Sequence, residues 1–265
     1  MRRRRADGAG HPLFRRLQEN LAPEPEHCLG VRRKIACTGS LKPFLEMPLT
    51  IETVVGLDAT IYFDAQKCIH SRGCVLSHPE VFVPNVQGEW IHPDAQSVEE
   101  LMHIAKTCPS GAIRVVRKTA PSGLAADSDD VPMVNTVRVR ENGPLAFEAD
   151  LRIRGERQAS PRATLCRCGQ STNKPWCDGS HATAHFEATG EPTIASFETL
   201  AVRNGPLDVQ PMPNGPIRVV GNLEVVSGTG RTCNKVRETY LCRCGQSKNK
   251  PYCDGNHKAA GFEAP

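Results

Sequence analysis

The chain has 265 residues and a formal net charge of +4, with 39% hydrophobic and 5% aromatic residues, so it is too long for one small module and thinly supplied with core material. Residues 1–46 hold 10 Lys+Arg against 5 Asp+Glu and the remainder 23 against 24, so the excess charge sits in a tail and no basic face for nucleic acid is indicated. No run of about 18 apolar residues is present, which leaves no candidate membrane span.

In chain order, residues 1–46 open with Met1, Arg2, Arg3, Arg4 and Arg5, lack a sustained apolar period, and read as a disordered extension. Met47 directly precedes the first strand pattern, which is consistent with translation starting there and with Cys28 and Cys37 lying outside the native protein. Ile51, Thr53, Val54, Val55 and then Thr60, Ile61, Tyr62, Phe63 are β-branched or aromatic runs around a Gly-containing turn, which predicts a hairpin. Ser97 with Glu100 resembles a capping box, and Val98, Leu101, Met102, Ile104, Ala105 fall on one helical face, so a helix is expected from Ser97 to about Thr107. Pro109 and Gly111 end it, and Ile113, Val115, Val116 predict a returning strand. Residues 118–130 are small, polar and Pro/Gly-bearing, and mark a linker.

The second half is a repeat. NGPLAFEADLRIRG from Asn142 lines up with NGPIRVVGNLEVVSG from Asn214, and LCRCGQSTNKPWCDGSH from Leu165 with LCRCGQSKNKPYCDGNH from Leu241. Duplication of one small β-rich unit explains this, with modules expected over residues 131–190 and 191–265.

Twelve cysteines are many for this length. Cys166 and Cys168 are separated by one residue, as are Cys242 and Cys244, so their thiolates can converge on one metal centre where a disulfide would be strained. Thiolate ligands imply a reducing, cytoplasmic-type compartment. Each copy reads C-x-C-x8-C-x3-H, giving Cys166, Cys168, Cys177, His181 and Cys242, Cys244, Cys253, His257. Three Cys and one His also suit tetrahedral zinc, though zinc fingers usually pair their ligands at other spacings.

These segments resemble the CDGSH iron-sulfur proteins, the mitoNEET-like family, whose motif C-x-C-x2-[ST]-x3-P-x-C-D-G-[STA]-H is matched throughout by Cys166–His181. The second copy departs at Asn256, a position not expected to be a ligand. The resemblance implies one [2Fe-2S] cluster per motif, with two thiolates on one iron and one thiolate plus one imidazole on the other. Ser171, Asp178, Ser247 and Asp254 are expected to support the ligands, the aspartates as N-caps fixing the turn that presents the histidine. Family members pair two protomers, so the resemblance also implies an intramolecular pseudo-dimer and a monomeric chain.

Cys68, Cys74 and Cys108 lie in CIHSRGC and CPSGAI, with Pro109 following Cys108 as in the closing Cys-Pro of bacterial ferredoxins. Ser71 stands where those proteins carry a middle cysteine. This resembles divergent single-cluster ferredoxin domains, expected over residues 47–117, and three thiolates could hold a [3Fe-4S] cluster or a [4Fe-4S] cluster completed by Ser71, His70, water or a partner's group. The fold expected is α+β, a ferredoxin-like domain followed by two β-rich modules. No nucleophile–base pattern, phosphate loop or flavin or nicotinamide fingerprint is present, which leans against an enzyme.

The function implied is an electron carrier with two [2Fe-2S] clusters and one ferredoxin-type cluster, serving a redox partner protein. A three-thiolate, one-imidazole [2Fe-2S] centre is less negative than a four-thiolate one and should be the electron sink. The alternative from another class is a [2Fe-2S] donor to an apo-acceptor or a redox or pH sensor, favoured by an imidazole ligand. A structural zinc scaffold is the third reading.

Overall fold

The computed structural model describes residues 51–119 and 130–265. The extension over 1–46 and most of the linker over 118–130 lie outside them.

The expected hairpin is β1 (Ile51–Val55) and β2 (Ala59–Asp64), paired antiparallel with Thr53 opposite Tyr62. The returning strand β3 (Ile113–Arg117) joins the other edge of β2, with Ile61 opposite Val115. After β2 comes the short helix α1 (Gly73–Ser77), and then α2 (Val98–Thr107). Leu101, Ile104 and Ala105 of α2 are buried with Ile61, Phe82 and Ile113, so the helical face read from the sequence covers this sheet. Ser97 caps α2 by accepting the Glu100 amide at 3.3 Å. The reciprocal half of the capping box is not made. Glu100 instead accepts from His78 Nε2 at 2.9 Å, tying α2 to the end of α1.

The second half supplies β4 (Thr136–Val139), β5 (Leu145–Glu148), β6 (Asp150–Ile153), β7 (Glu156–Arg157), β8 (Arg162–Leu165) and α3 (Ser180–Thr183). It continues with β9 (Pro206–Pro211), β10 (Ile217–Val226), β11 (Thr232–Leu241) and α4 (Asn256–Ala259). Among the described residues the eight strands form one sheet in the order β7-β6-β9-β10-β4-β5-β8, with β11 also on β10. Strand therefore outweighs helix.

The pairing between the two copies is reciprocal. β6 runs parallel to β9 with Arg152 opposite Asp208, and β10 runs parallel to β4 with Glu224 opposite Thr136. Each copy thus lends a later strand to the first strand of the other, at the offset of the NGP turns. Asn142 and Asn214, which open those turns, both take left-handed backbone conformations, φ 46° and 49°. Val137, Leu145, Leu151 and Leu165 from one copy share a single core with Val209, Ile217, Leu223 and Leu241 from the other. Burying each such side chain is worth about 1.5–3 kcal/mol, so the two copies depend on each other for their apolar burial.

Candidate metal centres

β8 runs directly into the first motif. The chain then leaves Cys168 through a positive-φ Gly169, crosses the loop and folds back on itself. The Cys166 amide donates to Pro175 O at 2.8 Å and the Cys177 amide to Thr164 O at 3.0 Å. The second motif repeats this from the end of β11, Cys242 to Pro251 O and Cys253 to Tyr240 O, each at 2.8 Å. Lys174–Pro175 and Lys250–Pro251 are cis peptides. Ser171 and Ser247 are buried within the loops, donating to Trp176 O at 2.7 Å and Tyr252 O at 2.6 Å.

The donors of each motif stand as two pairs. Cys166 Sγ and Cys168 Sγ are 3.7 Å apart, and Cys177 Sγ lies 3.3 Å from His181 Nδ1. In the second motif the separations are 3.8 Å for Cys242 and Cys244 and 3.4 Å for Cys253 and His257. Two thiolates at about 2.3 Å from one tetrahedral metal would themselves be about 3.7 Å apart, so each pair is spaced to share a metal. Among the described residues no three such groups converge on a single ion.

Asp178 and Asp254 hold the turn that presents each histidine, but from one residue earlier than a cap. The cap positions are Gly179 and Gly255, both left-handed. Asp178 accepts from the Ser180 amide at 3.0 Å and the Thr172 amide at 2.8 Å, clamping both ends of the loop. Asp254 does the same with Asn256 at 3.1 Å and Lys248 at 2.8 Å. Asn256 additionally donates to Asp254 at 3.0 Å, so the departure from the motif keeps a polar partner for the aspartate.

Burial pushes the Cys177 and Cys244 thiols up to about 11 and holds the His181 imidazole below its ordinary value. Within the Cys166–Cys168 pair, the Cys168 thiol beside Cys166 favours ionisation of Cys166, and the same contact opposes a second ionisation at Cys168. Such thiols become thiolates when a cation binds them, which couples metal binding to proton release.

In the first domain Cys68 follows β2, Cys74 lies in α1 and Cys108 ends α2, and all three thiols are half-buried. His70 and Arg72 take left-handed conformations, φ 53° and 62°, curling the loop between Cys68 and Cys74. Burial is the main cause that raises the Cys68 and Cys74 thiols, with a smaller contribution from Cys108. Ser71 and His70 line an open cavity of about 720 Å³ whose lining also includes His181 and Asp178.

That domain covers one motif more than the other. Asn173 donates to Gln66 O at 2.6 Å, the Lys67 ammonium lies 5.2 Å from the Trp176 ring centre, and Arg162 donates to Cys108 O at 3.0 Å. At corresponding positions Asn173, Cys177 and Asp178 are each less exposed than Asn249, Cys253 and Asp254. Two residues that spacing did not single out, Arg167 and Arg243, are among the largest fully buried side chains. Each is the middle residue of a C-x-C, the one sequence feature that could have drawn attention to it.

Family comparison agrees with this layout. The model for the iron-binding zinc finger of CDGSH type matches residues 136–182 and 214–258, and that for the divergent 4Fe-4S mono-cluster matches residues 54–118. Over 59 residues the chain is 36% identical to the uncharacterized protein YjdI of Escherichia coli K12, spanning 22% of this chain and 75% of that protein. The protein of the same name from E. coli O157:H7 matches equally. This is an iron-sulfur-binding protein. It belongs to the CDGSH iron-sulfur family, with two CDGSH modules behind a divergent 4Fe-4S domain. Among the described residues no helix is long and apolar enough to cross a membrane.

Proposed function

We propose that the chain is an electron carrier with two [2Fe-2S] clusters and one [3Fe-4S] or [4Fe-4S] cluster. Cys166 and Cys168 would hold one iron of the first module and Cys177 and His181 the other, with Cys242, Cys244, Cys253 and His257 doing the same in the second. Cys68, Cys74 and Cys108 would hold the ferredoxin-type cluster. The observation that carries this reading is the paired spacing of donors, 3.7 and 3.3 Å in one motif and 3.8 and 3.4 Å in the other. Bound there, each cluster supplies a one-electron acceptor.

The two modules act as an intramolecular pseudo-dimer in a monomeric chain. Reciprocal pairing of Arg152 with Asp208 and of Glu224 with Thr136 supports this, because such exchange is the signature of a two-fold interface. The second module, more exposed at Cys253 and Asp254 than the first is at Cys177 and Asp178, is the side that meets the redox partner. A cytoplasmic, reducing compartment suits the free thiols of the motifs.

Reductive titration tests the carrier reading, with uptake of about three electrons per chain and reoxidation without loss of iron expected. The half-buried Cys253 favours a second reading, [2Fe-2S] donation from the second module. Transfer of iron and sulfide to an apo-ferredoxin, with no reversible reduction, would replace the first reading by the second.

A further inference from the structure

The helix α2 ends on Cys108, and a residue of the first module finishes that end. Arg162, at the start of β8, donates through Nε to Cys108 O at 3.0 Å and through Nη2 to Ala105 O at 2.9 Å. The last carbonyls of a helix lack partners within it and carry the negative end of its dipole, so a guanidinium fork suits them. The Cys108 amide donates to Ile104 O and Ala105 O, both at 3.2 Å. Cys108 is thus held at its amide by α2 and at its carbonyl by the module. The turn that follows is pressed onto the same strand. Gly111 is left-handed at φ 66°, and a Cβ there would stand 2.5 Å from Ser160 Oγ and 2.6 Å from Arg162 O.

The Cys68 side is gripped likewise. Gln66 and Lys67, which directly precede Cys68, meet Asn173 at 2.6 Å and the Trp176 ring centre at 5.2 Å. From within its own domain Asp64 holds the same turn, accepting the Gln66 amide at 3.0 Å. The module therefore touches the chain beside two of the three thiols.

The duplication shows that this grip is particular to one copy. Counted from the first cysteine of each motif, Asn173 and Trp176 correspond to Asn249 and Tyr252, whereas Arg162 corresponds to Glu238. A carboxylate cannot donate to helix carbonyls. Glu238 instead accepts from Arg218 at 2.8 Å and Tyr240 at 3.1 Å, within its own sheet. The copies differ in charge at the position where the first domain sits.

We infer that Arg162 is a positioning residue for the Cys68, Cys74 and Cys108 site, fixing Cys108 from the first module while Asn173 steadies the Cys68 side. The inference rests on the three-thiolate cluster reading above.

Chelator competition on the anaerobically purified full chain tests it, with iron and sulfide counted and the first-domain and CDGSH bands followed separately. Arg162→Gln should weaken iron retention in the first domain about 10–100-fold and leave the CDGSH iron in place. Arg162→Lys, which can still donate to one carbonyl, should restore most of the loss. Ser97→Ala removes the cap at the other end of α2 without touching a cysteine, and should leave retention near native.

Native retention in Arg162→Gln would overturn the proposal, as would a Lys variant no better than Gln, or an equal loss in Ser97→Ala. Should Arg162→Gln fail to fold, Asn173→Ala decides, and native first-domain retention in that variant contradicts the proposal. A native chain with only about four iron would overturn the first-domain cluster reading itself. The positioning is then read on the bare thiols, where Arg162→Gln should speed alkylation of Cys108 by on the order of tenfold through local opening. An unchanged alkylation rate would overturn the positioning role as well.

Discussion

Cys168 and Cys244 face each other across an antiparallel backbone bridge, so the inner cysteine of each motif is held by its counterpart in the other copy. The glycines that follow make this approach possible. A Cβ on Gly169 would stand 2.6 Å from Cys244 O, and one on Gly245 would collide with Cys168 O, with φ at 81° and 79°.

Gly169→Ala should therefore cost the left-handed penalty of about 1–2 kcal/mol plus the backbone displacement. Gly155 has a similar φ of 83° but open space around it, so Gly155→Ala pays the first term alone. Calorimetry should show Gly169→Ala less stable than Gly155→Ala by at least about 1 kcal/mol, with visible absorbance reduced at both CDGSH sites. Equal destabilisation would show that the two motifs do not press on each other.

Asp178 and Asp254 bind no metal in this account, yet each ties two amides across its loop. Asp178→Ala and Asp254→Ala should weaken iron retention about 10–100-fold at the altered module, as supporting partners of ligands commonly do. Competition with a chelator, followed at the visible bands, measures it.

Much of this arrangement was legible in the sequence, and the reasons for what was not are physical. The hairpin, the face of α2 and the ligand spacing are local patterns, and local patterns survive in one dimension. The exchange of strands between copies is not local. A repeat shows that two units are alike, but a pairing such as Arg152 with Asp208 depends on register between distant segments. Covering of the first motif by Gln66 and Lys67 likewise leaves no spacing to read. Arg167 and Arg243 were passed over because arginine ordinarily lies outside, and only their setting between buried cysteines argued otherwise.

Glu224 gives the pH dependence of the shared sheet. Its side chain is 3% exposed, and it accepts from Arg203 Nε at 2.7 Å with Lys235 Nζ 3.4 Å away. Burial raises its pKa, but the hydrogen bond and charge of Arg203, with Lys235 and Thr232, outweigh burial and hold it below the ordinary glutamate value. A depressed folded pKa contributes stability that is present above the unfolded value of about 4.3 and lost as pH falls through the folded one. The stability difference between the native protein and Glu224→Gln should be constant from pH 7 to about 5 and shrink below about 4. Denaturant midpoints across that range check the sign, and a difference that grows on acidification would contradict it.

Replacing His181 and His257 by Cys adds one negative charge to each proposed centre. Both potentials should fall, by on the order of 100 mV or more, while the ferredoxin-type signal stays in place. Spectroelectrochemistry on the double variant measures this, and unchanged potentials would exclude the histidines as ligands.

Metal and sulfide content tests the central claim most directly. Protein purified anaerobically should carry about seven or eight iron and about as much inorganic sulfide per chain, with zinc near zero, if all three sites hold their clusters. About two zinc per chain with no sulfide would contradict the account.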